Sequence, residues 1–312
     1  MLIFGEKYKF TNLELQRLAK IFDDITSISY KDEKADDVIA QIEEALQENS
    51  ITTILLNTKA KVDEDIIKYL TNLKFNVEHS KFNIIAIEHF LEKYLHKCYI
   101  PEDNNDLHFL DDIEEFSVLQ KMQKGVVDIV AIFFLFMVFL ALKPIVKKKT
   151  TKESPGDLYF KQARVGWGNK EFDCVKFRSM RLDAEKDGAA FSSEDDPRIF
   201  PWGNSMRRLR IDEIPQVFNI LKGEMSLIGP RPERKYWIEK DFEKKIPYYS
   251  QRHIVKPGIT GWAQVMYPYG NGIEDAKQKL MYDLYYIKHW SLGLEIKVIW
   301  KTIIVVLSKQ GV

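Results

Sequence analysis

The 312 residues are 45% hydrophobic and 29% charged, a balance that suits a folded protein of one to three domains with a sizeable core. Cys98 and Cys174 stand in no metal-like or redox spacing and read as free thiols of a reducing compartment, and the opening MLIFGEKYKF lacks the basic and apolar segments of a secretory signal. The formal net charge of zero hides a split: residues 1–120 carry 13 Lys and Arg against 24 Asp and Glu, a net of −11, and residues 121–312 carry 33 against 22, a net of +11. A basic half beside an acidic one implies two domains, the basic one facing nucleic acid, phospholipid or a phosphorylated substrate.

The first hundred residues alternate helical and strand-like signals. FTNLELQRLAKIFDD has helical apolar spacing with Thr11 as its cap, ITSISY reads as a strand, and KADDVIAQIEEALQEN as a helix. ITTILLN is a buried strand, DEDIIKYLTNL a helix, KFNVEH and FNIIAI short strands, and EHFLEKYLHK a closing helix. This alternation predicts a parallel α/β sheet. No G-x-G-x-x-G follows a strand, so a structural or regulatory role is expected here rather than nucleotide binding.

PEDNNDLHFLDDIEEF (101–116) is acidic and turn-rich and reads as a linker. An uninterrupted apolar run follows, from Ile129 to Leu142. At ~1.5 Å per residue its 14 residues measure about 21 Å, short of a hydrocarbon core of ~30 Å. Extending it back to Val126 takes in Asp128. The run is apolar on every face, with Lys121 and Lys124 before it and Lys143 and Lys147 to Lys149 after it. Positive charge marks cytoplasmic flanks, so lysines at both ends, with Pro144 as a breaking point, predict a re-entrant membrane helix that enters and leaves on one face. A buried helix of a soluble domain is the alternative. LGLEIKVIWKTIIVVLSK (292–309) fits either a membrane interface or a soluble core.

The stretch RIDEIPQVFNILKGEMSLIGPRPE (210–233) carries the chemistry. Asp212 and Glu213 follow Arg207, Arg208 and Arg210, and an apolar run leads to Gly229-Pro230-Arg231-Pro232. Pro215 fits near a helix start, and consecutive helical residues point about 100° apart, so one carboxylate can face a pocket while the other holds a metal or a basic partner. The guanidiniums outnumber the acids. Arginine forks match phosphate oxygens, and the flanking prolines stiffen the backbone that aims Arg231. An acid pair with fixed arginines suits phosphoryl chemistry. Upstream, SPGDLYFKQARVGWGNKEFDCVKFRSM adds Gln162, Arg164, Lys176 and Arg178; downstream, HIVKPGITGWAQV places Lys256 before a Pro-Gly turn. No RNP-like or helix-turn-helix signature supports nucleic acid as the partner.

In fixed order, SPGDLYFKQARVG, KFRSM, RRLRIDEIPQVFNILKGEMSLIGPRPE, KPGITGWAQV and YDLYYIKHWS resemble the bacterial sugar transferase family, the monotopic polyprenyl-phosphate phosphoglycosyl transferases. The resemblance covers roughly residues 121–312; a weaker one, at EHFLEKYLHKCYIP, links the N-terminal part to the nucleotide-binding-like domain of longer members. It implies a Rossmann-like α/β domain (1–100), an acidic linker (101–120), a re-entrant membrane helix (121–150) and a compact, helix-rich α+β catalytic domain (151–312). It also implies transfer of sugar 1-phosphate from a UDP-sugar to undecaprenyl phosphate with release of UMP, at the cytoplasmic face of a bacterial inner membrane. The route is ping-pong, through a phosphosugar on Asp212, with Glu213 as dyad partner and Mg²⁺ at Asp212, shared or not with Glu213. By motif position Lys176, Arg207, Arg210, Arg231, Gln162 and Arg164 would support the dyad or hold the substrate phosphates. A non-catalytic scaffold binding nucleotide-sugar or lipid is the alternative, and a homodimer stays open. Two departures stand out: the mid-helix Ser-Pro of the family is missing from the apolar run, and Asp157 follows Ser-Pro-Gly where the family has proline. YPYGNGIEDAK (267–277) offers aromatic and small residues to a sugar pocket without naming the sugar.

Overall fold

The computed structural model describes residues 1–48, 51–59, 61–75, 82–102, 113–186, 188, 196–267, 270 and 272–308. The chain forms two compact units, Met1–Tyr99 and Ile100–Val312.

In the first unit, strands β1 (Leu2–Phe4), β2 (Thr26–Ile28), β3 (Thr53–Leu56) and β4 (Asn83–Ala86) form a parallel sheet in the order β2-β1-β3-β4. The crossovers are α1 (Asn12–Leu18), α2 (Ala35–Glu48) and α3 (Glu64–Phe75), and α4 (Ile87–Phe90) runs on into a wider turn, Leu91–Leu95. Thr11 caps α1 as its position predicts, in a reciprocal capping box with Glu14. Leu2, Phe4, Ile54, Val38, Ile42 and Ile66 pack one core between the sheet and its helices. The strand expected in KFNVEH lies mostly outside the described residues, and Lys74 and Phe75 end α3 instead. The central strand β1, read from sequence only as a chain start, pairs on both edges.

The loops at the C-terminal ends of β1 and β3, where open α/β sheets hold ligands, are tied to each other. Asn57 donates to the carbonyls of Gly5 (3.1 Å) and Tyr8 (2.9 Å) and accepts from Tyr8 N–H (2.7 Å). The Lys97 ammonium is buried against the Glu14 carboxylate and donates to Tyr8 Oη at 2.7 Å.

The second unit opens with α5 (Val118–Glu153), capped by Ser117. It is long and apolar enough to cross a membrane by length and composition, and only 11% of its most apolar window is buried. The expected break at Pro144 is not there: the helix continues through it. A proline costs roughly 3 kcal/mol inside a helix. Contacts on both sides of it offset that cost, because Phe139 and Val146 join Phe177, Phe200 and Met206 in one buried cluster. An inward seam runs along the helix at Lys124, Asp128, Ala131, Leu135, Phe139, Leu142, Val146 and Thr150, each buried or half-buried and spaced three or four apart. Ile129, Phe133, Phe134, Met137 and Leu140 face outward, exposed.

Beyond α5, β5 (Tyr159–Val165) and β6 (Glu171–Phe177) form an antiparallel hairpin. Then come α6 (Pro201–Arg208), a tight 3-10 turn (Ile211–Gln216), α7 (Val217–Leu221) and β7 (Ser226–Ile228). Short turns α8 (Lys235–Trp237) and α9 (Glu243–Lys245) precede β8 (Gly258–Thr260), which pairs in parallel with β7. Helices α10 (Trp262–Met266), α11 (Ile273–Lys288) and α12 (Leu292–Leu307) complete this unit. The β7–β8 contact depends on glycine: a Cβ on Gly258 would stand 2.1 Å from Gly229 N, and one on Gly229 would stand 2.4 Å from the Lys256 carbonyl. Arg178, singled out by sequence among the basic residues, binds the Ser154 and Asp157 carbonyls and the Ser154 hydroxyl, closing the end of α5. On α12, Glu295 and Val298 are buried while Ile296, Trp300 and Leu307 are exposed. The acidic linker read at 101–116 falls largely on residues 103–112, outside the described set.

Candidate active site

Asp212 and Glu213 sit in the 3-10 turn between α6 and α7, 6% and 4% exposed. Arg210, just before the turn, adopts φ +52°, ψ +24°, a left-handed conformation that costs a residue with a side chain about 1 kcal/mol. That bend reverses the chain out of α6 and drives both acids inward. Asn219 of α7, fully buried, locks the turn to β6: it accepts from Val175 N–H (3.0 Å) and donates to the Asp173 carbonyl (2.7 Å) and to Glu224 (2.7 Å). Sequence reading passed over Asn219; a polar side chain inside the apolar VFNIL was the available signal.

The cations converge on Glu213. Lys176 of β6 and Arg231 of the Gly-Pro-Arg-Pro loop both reach its Oε1, at 2.9 and 2.7 Å, and Arg210 reaches Oε2 at 3.2 Å. Burial opposes ionisation of Glu213, but Arg231, Lys176 and Arg210 outweigh it and hold this carboxyl well below its ordinary range. Glu213 in turn raises the Arg231 guanidinium further against deprotonation. Asp212 behaves oppositely. Burial, and then the charge of Glu213, push it up from 3.8 to about 6, against the pull of Lys176, Arg207 and Arg231. One carboxylate is saturated with cations. Its neighbour stands within the field of Lys176, Arg207 and Arg231.

Gln162 and Arg164, predicted to support the dyad or the phosphates, lie at the C-terminal end of the Gly-Pro-Arg-Pro loop. Arg164 donates to the Pro232 carbonyl (3.1 Å) and pairs with Glu233 (3.4 Å), while Gln162 accepts from Arg164 and donates to Glu185. Arg164 therefore fixes the far end of the Gly-Pro-Arg-Pro loop. Arg252, which sequence reading did not single out, fixes its middle: it donates to the Arg231 carbonyl at 2.8 Å and is buried against Asp283 (2.8 Å) and Tyr249 (2.7 Å). Of the segment proposed to shape a sugar pocket, residues 268, 269 and 271 lie outside the described set; Tyr267 donates to Asp275 at 3.0 Å.

A divalent cation would find one carboxylate here. Among the described residues no group of three or more His, Cys, Asp or Glu side chains forms a cage. Mg²⁺, implied by the family resemblance, needs only one or two carboxylates and completes its shell with water and substrate phosphates. Because both oxygens of Glu213 are engaged by cations, Asp212 is the residue that fits this role.

A pH dependence follows. Asp212 binds its proton more tightly folded than unfolded, so the stability this contributes is complete below 3.8 and is lost as pH rises through about 6. A reaction that needs Asp212 as a carboxylate would run the other way. A kcat/KM profile should rise with pH through about 6 and then level off; a profile flat from pH 5 to 7 would remove Asp212 ionisation from the reaction.

Comparison with known proteins gives the family. The family profile described as "Bacterial sugar transferase" matches residues 119–309, which include α5, the dyad and the Gly-Pro-Arg-Pro loop. A UDP-N-acetylgalactosamine-undecaprenyl-phosphate N-acetylgalactosaminephosphotransferase of Aeromonas hydrophila is 49% identical over 159 residues, 51% of this chain and 37% of that protein. A UDP-glucose:undecaprenyl-phosphate glucose-1-phosphate transferase of Xanthomonas campestris pv. campestris is 41% identical over 198 residues, 62% of this chain and 40% of its own length. A putative undecaprenyl-phosphate N-acetylgalactosaminyl 1-phosphate transferase of Bacillus subtilis is 53% identical over 100 residues, 32% of this chain and 55% of that one. The chain thus spans about two-fifths of the length of the first two relatives. With the profile covering well over half of its residues, among them the buried acid pair and its cations, this chain belongs to the bacterial sugar transferase family.

Proposed function

We propose that this protein transfers sugar 1-phosphate from a UDP-sugar to undecaprenyl phosphate, releasing UMP and forming an undecaprenyl-diphosphate sugar. The names of the relatives, which act with UDP-glucose or UDP-N-acetylgalactosamine, support the reaction class. The observation that carries the reading is the division of labour in the acid pair: three cations on Glu213, and a buried Asp212 beside them.

In this reading Asp212 Oδ attacks the β-phosphorus of the donor. A P–O bond forms to the aspartate, the bond between the β-phosphorus and the bridging oxygen breaks, and UMP leaves with the electron pair. An oxygen of undecaprenyl phosphate then attacks the same phosphorus and Asp212 departs as carboxylate, so the site is restored. Arg231 and Lys176, held in place by Glu213, face the charge that develops on the transferred phosphoryl group. Arg207, within electrostatic reach of Asp212, adds to that field. Mg²⁺ bound at Asp212 would neutralise the diphosphate and so lower its repulsion of an incoming carboxylate.

Two features support a membrane setting without a full crossing. The outer face of α5 is apolar and exposed over several turns. Its inner seam, buried or half-buried from Lys124 near one end to Thr150 near the other, belongs to the same compact unit at both ends, which favours a helix lying along the membrane over one crossing it. We therefore read α5 as seated, unbroken, with its apolar outer face in the cytoplasmic leaflet of the inner membrane, where the acceptor phosphate lies. The sheet unit that precedes it is read as a Rossmann-like domain of structural or regulatory role.

The test is UMP release from a panel of UDP-sugars by the purified protein with undecaprenyl phosphate and Mg²⁺. A sugar-phosphate adduct on Asp212, trapped when the acceptor is omitted, is the expected companion result. Label from every UDP-sugar remaining in the aqueous phase would end this reading; UMP release with no adduct on any carboxylate would replace the covalent route by direct transfer.

A further inference from the structure

Lys124 and Asp128 enter the sequence as oddities, a flanking lysine and an acid at the edge of an apolar run. Four residues apart, they share one face of α5. Asp128 Oδ1 accepts Leu227 N–H at 2.7 Å. Lys124 Nζ donates to the Ile228 carbonyl at 2.8 Å, to Tyr286 Oη at 2.9 Å and to Glu295 Oε1 at 3.1 Å. An ammonium has three protons, and three acceptors take them. Lys124 is accordingly buried, whereas Lys121, one turn earlier, has a half-exposed side chain paired with Glu115. Lys124 is therefore built into the protein and does not serve as a headgroup anchor. Glu295 also accepts from Trp290 Nε1 (2.7 Å) and from Tyr286, so α5, β7, α11 and α12 meet at one ammonium.

Both main-chain groups that α5 grips lie directly before the loop that carries Arg231. Only Gly229 and Pro230 separate the Ile228 carbonyl from Arg231. Neither adds slack: Gly229 is pressed against the Lys256 carbonyl and Gly258, and the Pro230 ring restricts its own φ. At the other end, Arg252 holds the Arg231 carbonyl and Arg164 that of Pro232. A shift of α5 along β7 would pass through this short, clamped segment to the fork on Glu213.

We infer that Lys124 and Asp128 are positioning residues, a two-point latch that registers α5 against β7 and thereby aims Arg231 at the acid pair. The kinetic consequence rests on the transferase reading above; the structural one does not. The test uses the full-length protein in detergent or nanodiscs, with Lys124→Gln, Lys124→Arg, Asp128→Leu and, as control, Lys121→Gln. Lys124→Gln should lower kcat for UMP release about tenfold or more with the donor KM within about threefold, since a misplaced fork harms the transition state more than binding. Lys124→Arg, which keeps the charge, should recover part of the loss, and Lys121→Gln should stay within about twofold of the parent. Amide exchange at residues 227–231 should quicken in Lys124→Gln and in Asp128→Leu, which removes the acceptor of Leu227 N–H, with exchange in Met1–Tyr99 unchanged. Unaltered exchange at 227–231 would overturn the latch. So would a Lys121→Gln loss as large as that of Lys124→Gln, which would signal general attraction to anionic lipid. If the parent releases no UMP from any UDP-sugar, the transferase reading fails and the exchange measurement still decides the latch.

Discussion

Asp212→Asn should lose UMP release by about a thousandfold or more while unfolding at a higher temperature than the parent. The two effects share one cause. A carboxylate whose proton is held up to about 6 by burial and by Glu213 is ionised at neutral pH at a cost to the fold. The difference from 3.8 corresponds to an upper figure of roughly 3 kcal/mol, and the amide removes it while keeping the shape of the side chain. A gain of a few degrees in Tm at pH 7.5, shrinking as pH falls toward 4, is the expected thermal signature. Loss of activity together with loss of stability would mean that Asp212 is a structural acid. Full activity in the variant would remove it from the chemistry altogether.

Glu213→Gln should move stability in the opposite direction. Its folded pKa is depressed by Arg231, Lys176 and Arg210, so its contribution is present above 4.5 and is lost as pH falls through the lowered value. Replacing it with an uncharged amide strands three cations around one site. Breaking a fully buried pair costs roughly 3–5 kcal/mol; here about 2 kcal/mol is expected, because Arg231 and Arg210 keep part of their contact with water. The rate should fall by about a hundredfold, since Arg231 and Lys176 lose the anion that aims them. Chemical denaturation at pH 7.5 alongside the steady-state rate measures both. A variant as stable as the parent would mean that the ion pairs contribute nothing net. Opposite signs for two adjacent acids separate an electrostatic anchor from a strained reactive group, which activity data alone cannot do.

Much of this molecule was legible in its residues because the signals were local. The cap at Thr11, the period of α2 and α3 and the β-branched run of β3 are local patterns, and each element formed where its pattern predicted. The crowding of Arg207, Arg208 and Arg210 against Asp212 and Glu213, and the stiff Gly-Pro-Arg-Pro segment, pointed to residues that the fold does bring together, Glu213 with Arg210 and Arg231. β1 escaped notice because three residues at a chain start carry no period; what makes it a strand is the pairing with β2 and β3.

Tertiary structure alone decided what depends on distance across the chain. Pro144 reads as a helix breaker from its own chemistry, yet the apolar cluster on both sides of it keeps α5 continuous. Asp212 and Glu213 are equal in sequence and unequal in space, since Lys176 and Arg231, 37 and 18 positions from Glu213, both close on that one acid. Arg164 was expected by motif position to support the dyad or hold the phosphates; that it does so as a clamp on the Pro232 carbonyl, 68 positions away, no local signal could give. Side-chain type and spacing determine which chemistry a segment can perform. Burial and the direction of each fork, set by contacts between elements far apart in the chain, determine which residue performs it.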